Sequence, residues 1–327
     1  MWFEYPYYTE IPLETTIMKV LLLENIDQIA AEFFTDKGYL VKTYPKALSE
    51  EELQGAIKQV SILGIRSKTK ITKAVLDRAK NLQAIGAFCI GTDQINIASC
   101  QERGIAVFNA PFSNTRSVAE LAIGGMIMLF RGVVDKSLKM HGGMWQKSAQ
   151  GSFEIRGKTL GIIGYGNIGS QLSILAELMG MQVLYYDIFD RQGLGNAHKC
   201  QSLEEVLRES DVVSLHVDGR KENSRLLGKE EFSQMKKGAF FLNLSRGKVV
   251  DIDALAEAIK NEHLAGAAVD VFPLEPAKNG VGFVSPLQNL QNVILTPHIG
   301  GSTVEAQIDI ARFVSKKLHE RVVWRTN

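Results

Sequence analysis

This chain of 327 residues has almost no excess of either charge. Its 37 Lys and Arg stand against 36 Asp and Glu, for a formal net charge of +1. That balance gives no electrostatic basis for binding nucleic acid or an anionic membrane surface, so neither is expected as a partner. Cysteine is also scarce. Cys89, Cys100 and Cys200 are odd in number and form no C-x-x-C pair. They argue against a disulfide framework and fit reduced thiols in the cytoplasm. No apolar run reaches the ~20 residues that span a bilayer. The N-terminus, Met1 to Tyr8, carries an acid and no basic segment, so it does not read as a secretory signal. A G-x-S-x-G elbow and zinc-ligand spacings are absent, which leaves serine hydrolase and zinc chemistry without support.

What is present is an ordinary globular composition, 45% hydrophobic and 22% charged, on a chain long enough for two domains. The first third alternates strand and helix. Short apolar runs at 18–23, 40–44, 61–65, 84–88 and 106–108 predict strands. Ser49 with Glu52 forms a capping-box pattern, and Thr72 starts a further helix. Such alternation predicts a parallel sheet. A long apolar helix over 118–131, with Gly124-Gly125 inside it, then links to a second βα series. Its strands are read at 158–163, 183–186, 211–217, 239–244, 267–272 and 293–296, and a last helix at 303–320. His216 is expected within the 211–217 strand, buried and hydrogen-bonded. The aromatic segment before Met18 reads either as a partner-binding arm or as a frayed extension.

The most specific motif is Gly164-x-Gly166-x-x-Gly169, placed between the 158–163 strand and a helix expected over 170–179. The next strand ends in Asp187, eighteen residues beyond Gly169. This is the βαβ dinucleotide fingerprint. Gly164 permits the tight turn, Gly166 lets backbone approach a pyrophosphate, and Gly169 lets helix and strand pack closely. The helix N-terminus offers N–H groups to the phosphates. Asp187 can accept from the ribose hydroxyls and would repel a 2′-phosphate, so NAD is expected rather than NADP.

Three later strand ends carry reactive side chains: Arg246, Glu275 and His298. In a parallel sheet these tips can meet at the carboxyl edge. Oxidising an alcohol requires a base for the hydroxyl proton, and histidine titrates in the right range. A carboxylate beside it orients the ring and favours its charged form. An arginine can fork onto a substrate carboxylate.

At these residues the chain resembles the D-isomer-specific 2-hydroxyacid dehydrogenases, from about Met18 to Glu320. The stretches that carry the resemblance are Ile65 to Thr69, Cys89 to Gln94, Val107 to Glu120, the glycine fingerprint, Ser245-Arg246-Gly247, Ala265 to Phe272 and Leu295 to Thr303. The resemblance implies a Rossmann-like, doubly wound parallel-sheet cofactor domain (114–301) inserted into a flavodoxin-like α/β substrate domain (1–113 plus 302–327), closing over the substrate. It implies Arg246, Glu275 and His298 as catalytic residues. Asn167, Ile168, Asp187, Leu244, Ser245, Asp270, Gly300 and Gly301 would line the NAD site, with Asp270 on the nicotinamide carboxamide.

The implied reaction is NAD-dependent oxidation of D-3-phosphoglycerate to 3-phosphohydroxypyruvate. The substrate is thus a small phosphorylated 2-hydroxy or 2-keto acid. Arg66, Ser67 and Lys68 suit a phosphate clamp, and the N–H groups of Ile90 and Gly91 suit the carboxylate. Lys147 falls in a segment that reaches the partner subunit of a homodimer in this family. Reduction of 2-oxoglutarate, glyoxylate or hydroxypyruvate by the same residues is one alternative. An NADH-sensing binding protein, like the C-terminal binding corepressors, is another. Three departures stand out. The chain stops at Asn327, without the serine-binding domain of long bacterial members; it is either a short form or a truncated one, and serine feedback through that domain is not expected. Asp218-Gly219 stands where proline is usual, and Tyr5 to Glu14 matches nothing in the family.

Overall fold

A computed structural model describes residues 18–276 and 279–326. The aromatic N-terminal segment, and with it the reading of a partner-binding arm, lies outside the described residues. The chain divides into two compact units, 1–111 with 308–327, and 112–307. The second crossing falls inside the closing helix rather than before it.

In the first unit five parallel strands run β1 (Lys19–Leu22), β2 (Leu40–Thr43), β3 (Ile62–Ile65), β4 (Ala84–Ala87) and β5 (Ala106–Asn109). Their spatial order is β2-β1-β3-β4-β5, the flavodoxin-like order expected. Helices α1 (Gln28–Asp36), α2 (Glu50–Ala56), α3 (Lys73–Arg78) and α4 (Ile97–Glu102) make the crossovers. Ser49 and Glu52 close the predicted capping box on α2. Successive strand residues face opposite ways, so each strand feeds two cores. Leu21, Leu63 and Ile85 pack on one side, and Val20, Leu22, Ile62 and Ala84 on the other.

The second unit opens with α5 (Thr115–Arg131) and α6 (Val133–His141). The strands β6 (Thr159–Ile163), β7 (Gln182–Tyr186), β8 (Ala197–Lys199), β9 (Val212–Leu215), β10 (Ala239–Asn243), β11 (Leu264–Val269) and β12 (Val293–Leu295) form one parallel sheet. Helices α7 (Asn167–Leu178), α8 (Leu203–Glu209), α9 (Lys229–Gln234) and α10 (Ile252–Lys260) cover it, and α11 (Val304–Thr326) ends the chain. The strand order is β12-β11-β10-β9-β6-β7-β8. It reverses between β6 and β9, the switch point at which a doubly wound sheet takes its ligand. α5 buries Val118, Ala122, Met126 and Leu129 against this sheet. Among the described residues no single helix is long and apolar enough to cross a membrane.

Two expectations need correcting. α7 begins at Asn167, inside the glycine motif, not after it. The turn ends at Gly166, which is the helix N-cap and brings no side-chain cap of its own to mark the start. His216 lies just beyond β9 rather than within it. It is hydrogen-bonded as expected, its Nε2 paired with Ser214 Oγ at 2.8 Å. Its Nδ1 is buried without a partner, and burial pushes the imidazole down to about 4.

Candidate active site

The glycine motif sits at the switch point. Gly164 has φ +92°, and a Cβ there would lie 2.7 Å from the backbone C and O of His216, the residue just beyond the facing strand β9. β6 and β9 therefore diverge around a backbone that only glycine can supply. Gly166 differs: a Cβ on it would meet nothing within 4 Å. That open space lies at the N-terminus of α7, where the first N–H groups have no intrahelical acceptor. Asn167 and Ile168 form the first turn of the same helix. Asp187 follows β7 directly and holds both flanking turns: Oδ2 accepts from Tyr165 N at 2.7 Å and Oδ1 from Phe189 N at 2.8 Å. These residues fit a dinucleotide: open backbone for the pyrophosphate and a fixed carboxylate for the ribose.

At the carboxyl ends of β10, β11 and β12 the three reactive residues are set by buried polar groups. Asn243 ends β10 with its side chain buried; its Oδ1 accepts from Ser245 N (3.1 Å) and Oγ (2.9 Å), and its Nδ2 donates to Arg246 O at 3.3 Å. The Arg246 turn is thereby fixed, and Leu244 and Ser245 are buried beneath it. Asp270, just after β11, is 2% exposed. Its Oδ1 accepts from Thr296 Oγ1 (2.6 Å) and Ile299 N (2.8 Å), and its Oδ2 from Gly300 N (2.8 Å). Its carbonyl accepts from His298 N at 2.8 Å. Asp270 therefore holds the 296–300 turn that presents His298, which adopts the left-handed φ of +55°. Gly301 packs against Asn114, the residue that caps α5.

His298 and Glu275 meet. Nδ1 of His298 lies 2.8 Å from Glu275 Oε2, while Glu275 Oε1 accepts from Phe272 N at 3.1 Å. An ionised carboxylate can only accept, so Nδ1 carries the proton and Nε2 is left as the basic nitrogen. The Glu275 hydrogen bond raises the His298 pKa above the usual histidine value, against an opposing effect of burial. Burial pushes Glu275 up, but the bonds from His298 and Phe272 N outweigh it and leave the carboxyl below its usual range. Arg246 adds to the lowering at Glu275 and works against the raising at His298, so its charge reaches both.

A pH profile tests this pair. Accepting a proton needs neutral His298, so alcohol oxidation should rise with pH through a histidine pKa above the ordinary one. Keto-acid reduction, which needs the imidazolium, should fall through the same value. In Glu275→Gln the raising interaction is gone, so both limbs should move to lower pH, with a lower plateau. kcat/KM against pH in both directions reads this out; limbs that stay put in Glu275→Gln would remove Glu275 from the pair.

These observations fit a protein-family model. The model for the D-isomer specific 2-hydroxyacid dehydrogenase NAD-binding domain matches residues 123–300. The chain belongs to the D-isomer-specific 2-hydroxyacid dehydrogenases. Within this family it is 52% identical over 321 residues to D-3-phosphoglycerate dehydrogenase 1 of Saccharomyces cerevisiae, covering 94% of this chain and 68% of that protein. It is 51% identical over 310 residues to D-3-phosphoglycerate dehydrogenase of Escherichia coli, covering 94% and 76%. A D-lactate dehydrogenase of Aquifex aeolicus, solved with NAD and lactic acid, superposes with a TM-score of 0.79 at 29% identity, covering 93% of this chain and 95% of that one. As a member of this dehydrogenase family, the chain uses NAD.

The remaining predicted residues lie in the first unit or on the arm after α6. Arg66 follows β3 half-buried, with Ser67 and Lys68 exposed beside it. The turn is held by Glu24, a buried carboxylate that accepts from Lys68 N (3.0 Å) and Thr69 N (2.8 Å). Gln94 Nε2 donates to Arg66 O at 2.6 Å and to Gly91 O at 3.3 Å, tying the 66–68 turn to the 90–91 turn. Asn109 Nδ2 donates to Ile90 O at 2.6 Å. Lys147 is exposed in the segment after α6, two residues from Trp145. The sequence alone assigns no role to Asn243, Glu24, Gln94, Asn109 or Thr296. Gln94, Asn109 and Thr296 fall in stretches that carry the family resemblance, whereas Asn243 and Glu24 are marked only as polar residues at or just beyond the end of an apolar strand.

Proposed function

We propose that this chain catalyses the NAD-dependent oxidation of D-3-phosphoglycerate to 3-phosphohydroxypyruvate, the step that opens serine biosynthesis. The His298–Glu275 pair, set at strand ends of an NAD-binding sheet, carries the reading. The names of the relatives at about half identity support the substrate. His298 Nε2 accepts the hydroxyl proton, and the imidazolium it becomes is stabilised by Glu275 through Nδ1. Arg246 pairs with the substrate carboxylate and draws charge toward the forming carbonyl oxygen. Bound NAD supplies the hydride acceptor. Asn167 and Ile168 at the α7 N-terminus, with Gly164, Gly166 and Gly169, receive its pyrophosphate. Asp187 receives the adenosine ribose. Leu244, Ser245, Asp270, Gly300 and Gly301 border the nicotinamide end.

Arg66 and Lys68 bind the substrate phosphate, with the Ser67 hydroxyl between them, and Ile90 and Gly91 offer backbone N–H groups to a carboxylate. A guanidinium–phosphate pair contributes roughly 1.5–3 kcal/mol, or about ten- to a hundredfold. Arg66→Ala should therefore lose at least about tenfold of the preference for 3-phosphohydroxypyruvate over unphosphorylated hydroxypyruvate, through KM. A preference equal to that of the unaltered protein would overturn the clamp.

The working form is a cytoplasmic homodimer in this proposal. Leu138 (65% exposed), Met140, Met144 and Trp145 (78% exposed) form an apolar run along α6 and the segment after it, of the kind an interface covers. Lys147 lies on the same segment and would serve the neighbouring subunit.

A further inference from the structure

The carboxyl end of β7 carries more charge than the dinucleotide fingerprint requires. Two residues beyond Asp187, the Phe189 ring has two guanidinium groups near it, Arg191 at 5.6 Å and Arg220 at 5.9 Å from its centroid. Arginines beside the ribose-binding acid are the usual receptor for a 2′-phosphate. A guanidinium forks onto phosphate oxygens with charge-assisted bonds. Yet one of these two is already engaged. Arg220 Nε donates to Asp218 Oδ1 at 2.7 Å and Nη2 to Asp218 Oδ2 at 2.5 Å, a bidentate pair. The carboxylate is itself fixed: Oδ1 accepts from Arg220 N at 3.2 Å and from Asn223 Nδ2 at 3.0 Å, and Asn223 also holds the Asp218 carbonyl at 3.0 Å. An exposed ion pair contributes little to stability. Its effect here is on charge. Asp187 and Asp218 balance Arg191 and Arg220, so the cluster around Phe189 has no surplus positive charge.

We propose that Asp218 is a specificity-determining residue for the cofactor: by occupying the fork of Arg220 it denies that guanidinium to the 2′-phosphate of a phosphorylated dinucleotide. Selectivity for NAD then rests on two carboxylates, Asp187 at the ribose hydroxyls and Asp218 on the arginine beside them. This rests on the NAD reading above and deepens it. Asp218 lies in the loop after β9, on the far side of the switch point from β6. Its neighbour Gly219 packs against Arg246, a Cβ there meeting Arg246 Cγ at 3.2 Å. Asn in place of Asp218 keeps the shape and removes the charge, whereas alanine removes both.

The test is equilibrium titration of NADH and NADPH by fluorescence, with kcat/KM for NAD and NADP alongside. The proteins are the unaltered chain, Asp218→Ala, Asp218→Asn, Arg220→Ala and the double variant Asp218→Ala with Arg220→Ala. Asp218→Ala and Asp218→Asn should raise the NADPH-to-NADH affinity ratio by about tenfold, the size of one charge-assisted contact. Adding Arg220→Ala should return the ratio toward that of the unaltered protein, because the gain requires the released guanidinium. An unchanged ratio in both Asp218 variants would overturn the proposal. So would a gain that survives in the double variant, which would mean that removing a negative charge suffices. Absence of NAD-linked turnover in the unaltered protein would instead overturn the proposed function, and the binding ratios would still decide the role of Asp218.

Discussion

His298→Ala should lower kcat by about 10²–10⁴, the usual contribution of a positioned general base. NADH affinity should stay close to that of the unaltered protein. The split follows from position: His298 stands on the turn after β12, whereas the pyrophosphate and ribose contacts belong to the turns after β6 and β7. Nearly half of the His298 side chain is exposed, so its loss opens no cavity and stability should change little. The backbone needs its own control, because His298 has a left-handed φ of +55°. Asparagine adopts that region more readily than most residues. His298→Asn should therefore keep the turn and lose as much activity as His298→Ala. If asparagine recovered most of the rate, backbone geometry rather than proton transfer would be what His298 supplies. Equal losses of turnover and NADH affinity in both variants would place His298 in cofactor binding instead.

The second large effect concerns stability, at a residue with no reactive atom. Gly247 follows Arg246 and begins a 3₁₀ turn, Gly247–Val249, that is buried against the β11 end. A Cβ on Gly247 would lie 1.9 Å from Phe272 C and 2.1 Å from its carbonyl oxygen. These are backbone atoms and cannot rotate away as a side chain would, so one of the two segments must move. Overpacking of this kind costs about 3 kcal/mol, or roughly 10 °C in Tm for a domain of this size. Phe272 N is also the group that holds Glu275 Oε1. The displacement is thus passed to the His298 partner on one side and to Arg246 on the other. Gly247→Ala should lower Tm by about that amount in a thermal scan followed by circular dichroism, and should lower kcat together with NADH affinity. A Tm within about 2 °C of the unaltered protein would show that the turn has room the distances deny.

The two effects differ in how readable they were in the chain. Strands were legible because apolar runs end in polar residues: Ile62 to Ile65 before Arg66, and Val212 to Leu215 before His216. The three reactive residues were legible for the same reason, each lying just past such a run. α6 has no mark in the sequence, because none of its residues is buried and Val133, Leu138 and Met140 are exposed, so no core-facing stripe defines it. The start of α7 was misplaced because a backbone turn with a glycine cap sets it. The supports of the site were illegible for a different reason. Glu24 reaches Lys68 N across 44 residues, Asp270 reaches Gly300 N across 30, and both bonds end on backbone N–H groups, which every non-proline residue carries. A carboxylate held mainly by backbone N–H groups looks, from the chain alone, like any other acid at a strand end. The Asp218–Arg220 pair lies only two residues apart. Its meaning depends on the Phe189 ring beside it, which the sequence does not bring near.

The central claim is that this dehydrogenase acts on a phosphorylated three-carbon acid. The most direct measurement is NADH oxidation by the unaltered protein, followed by absorbance, with 3-phosphohydroxypyruvate and 2-oxoglutarate in parallel. The account predicts a kcat/KM for the phosphorylated keto acid at least about tenfold above that for 2-oxoglutarate, the least one charge-assisted phosphate contact provides. A preference for 2-oxoglutarate would contradict it, leaving His298, Glu275 and Arg246 in their roles but removing the phosphate from the substrate.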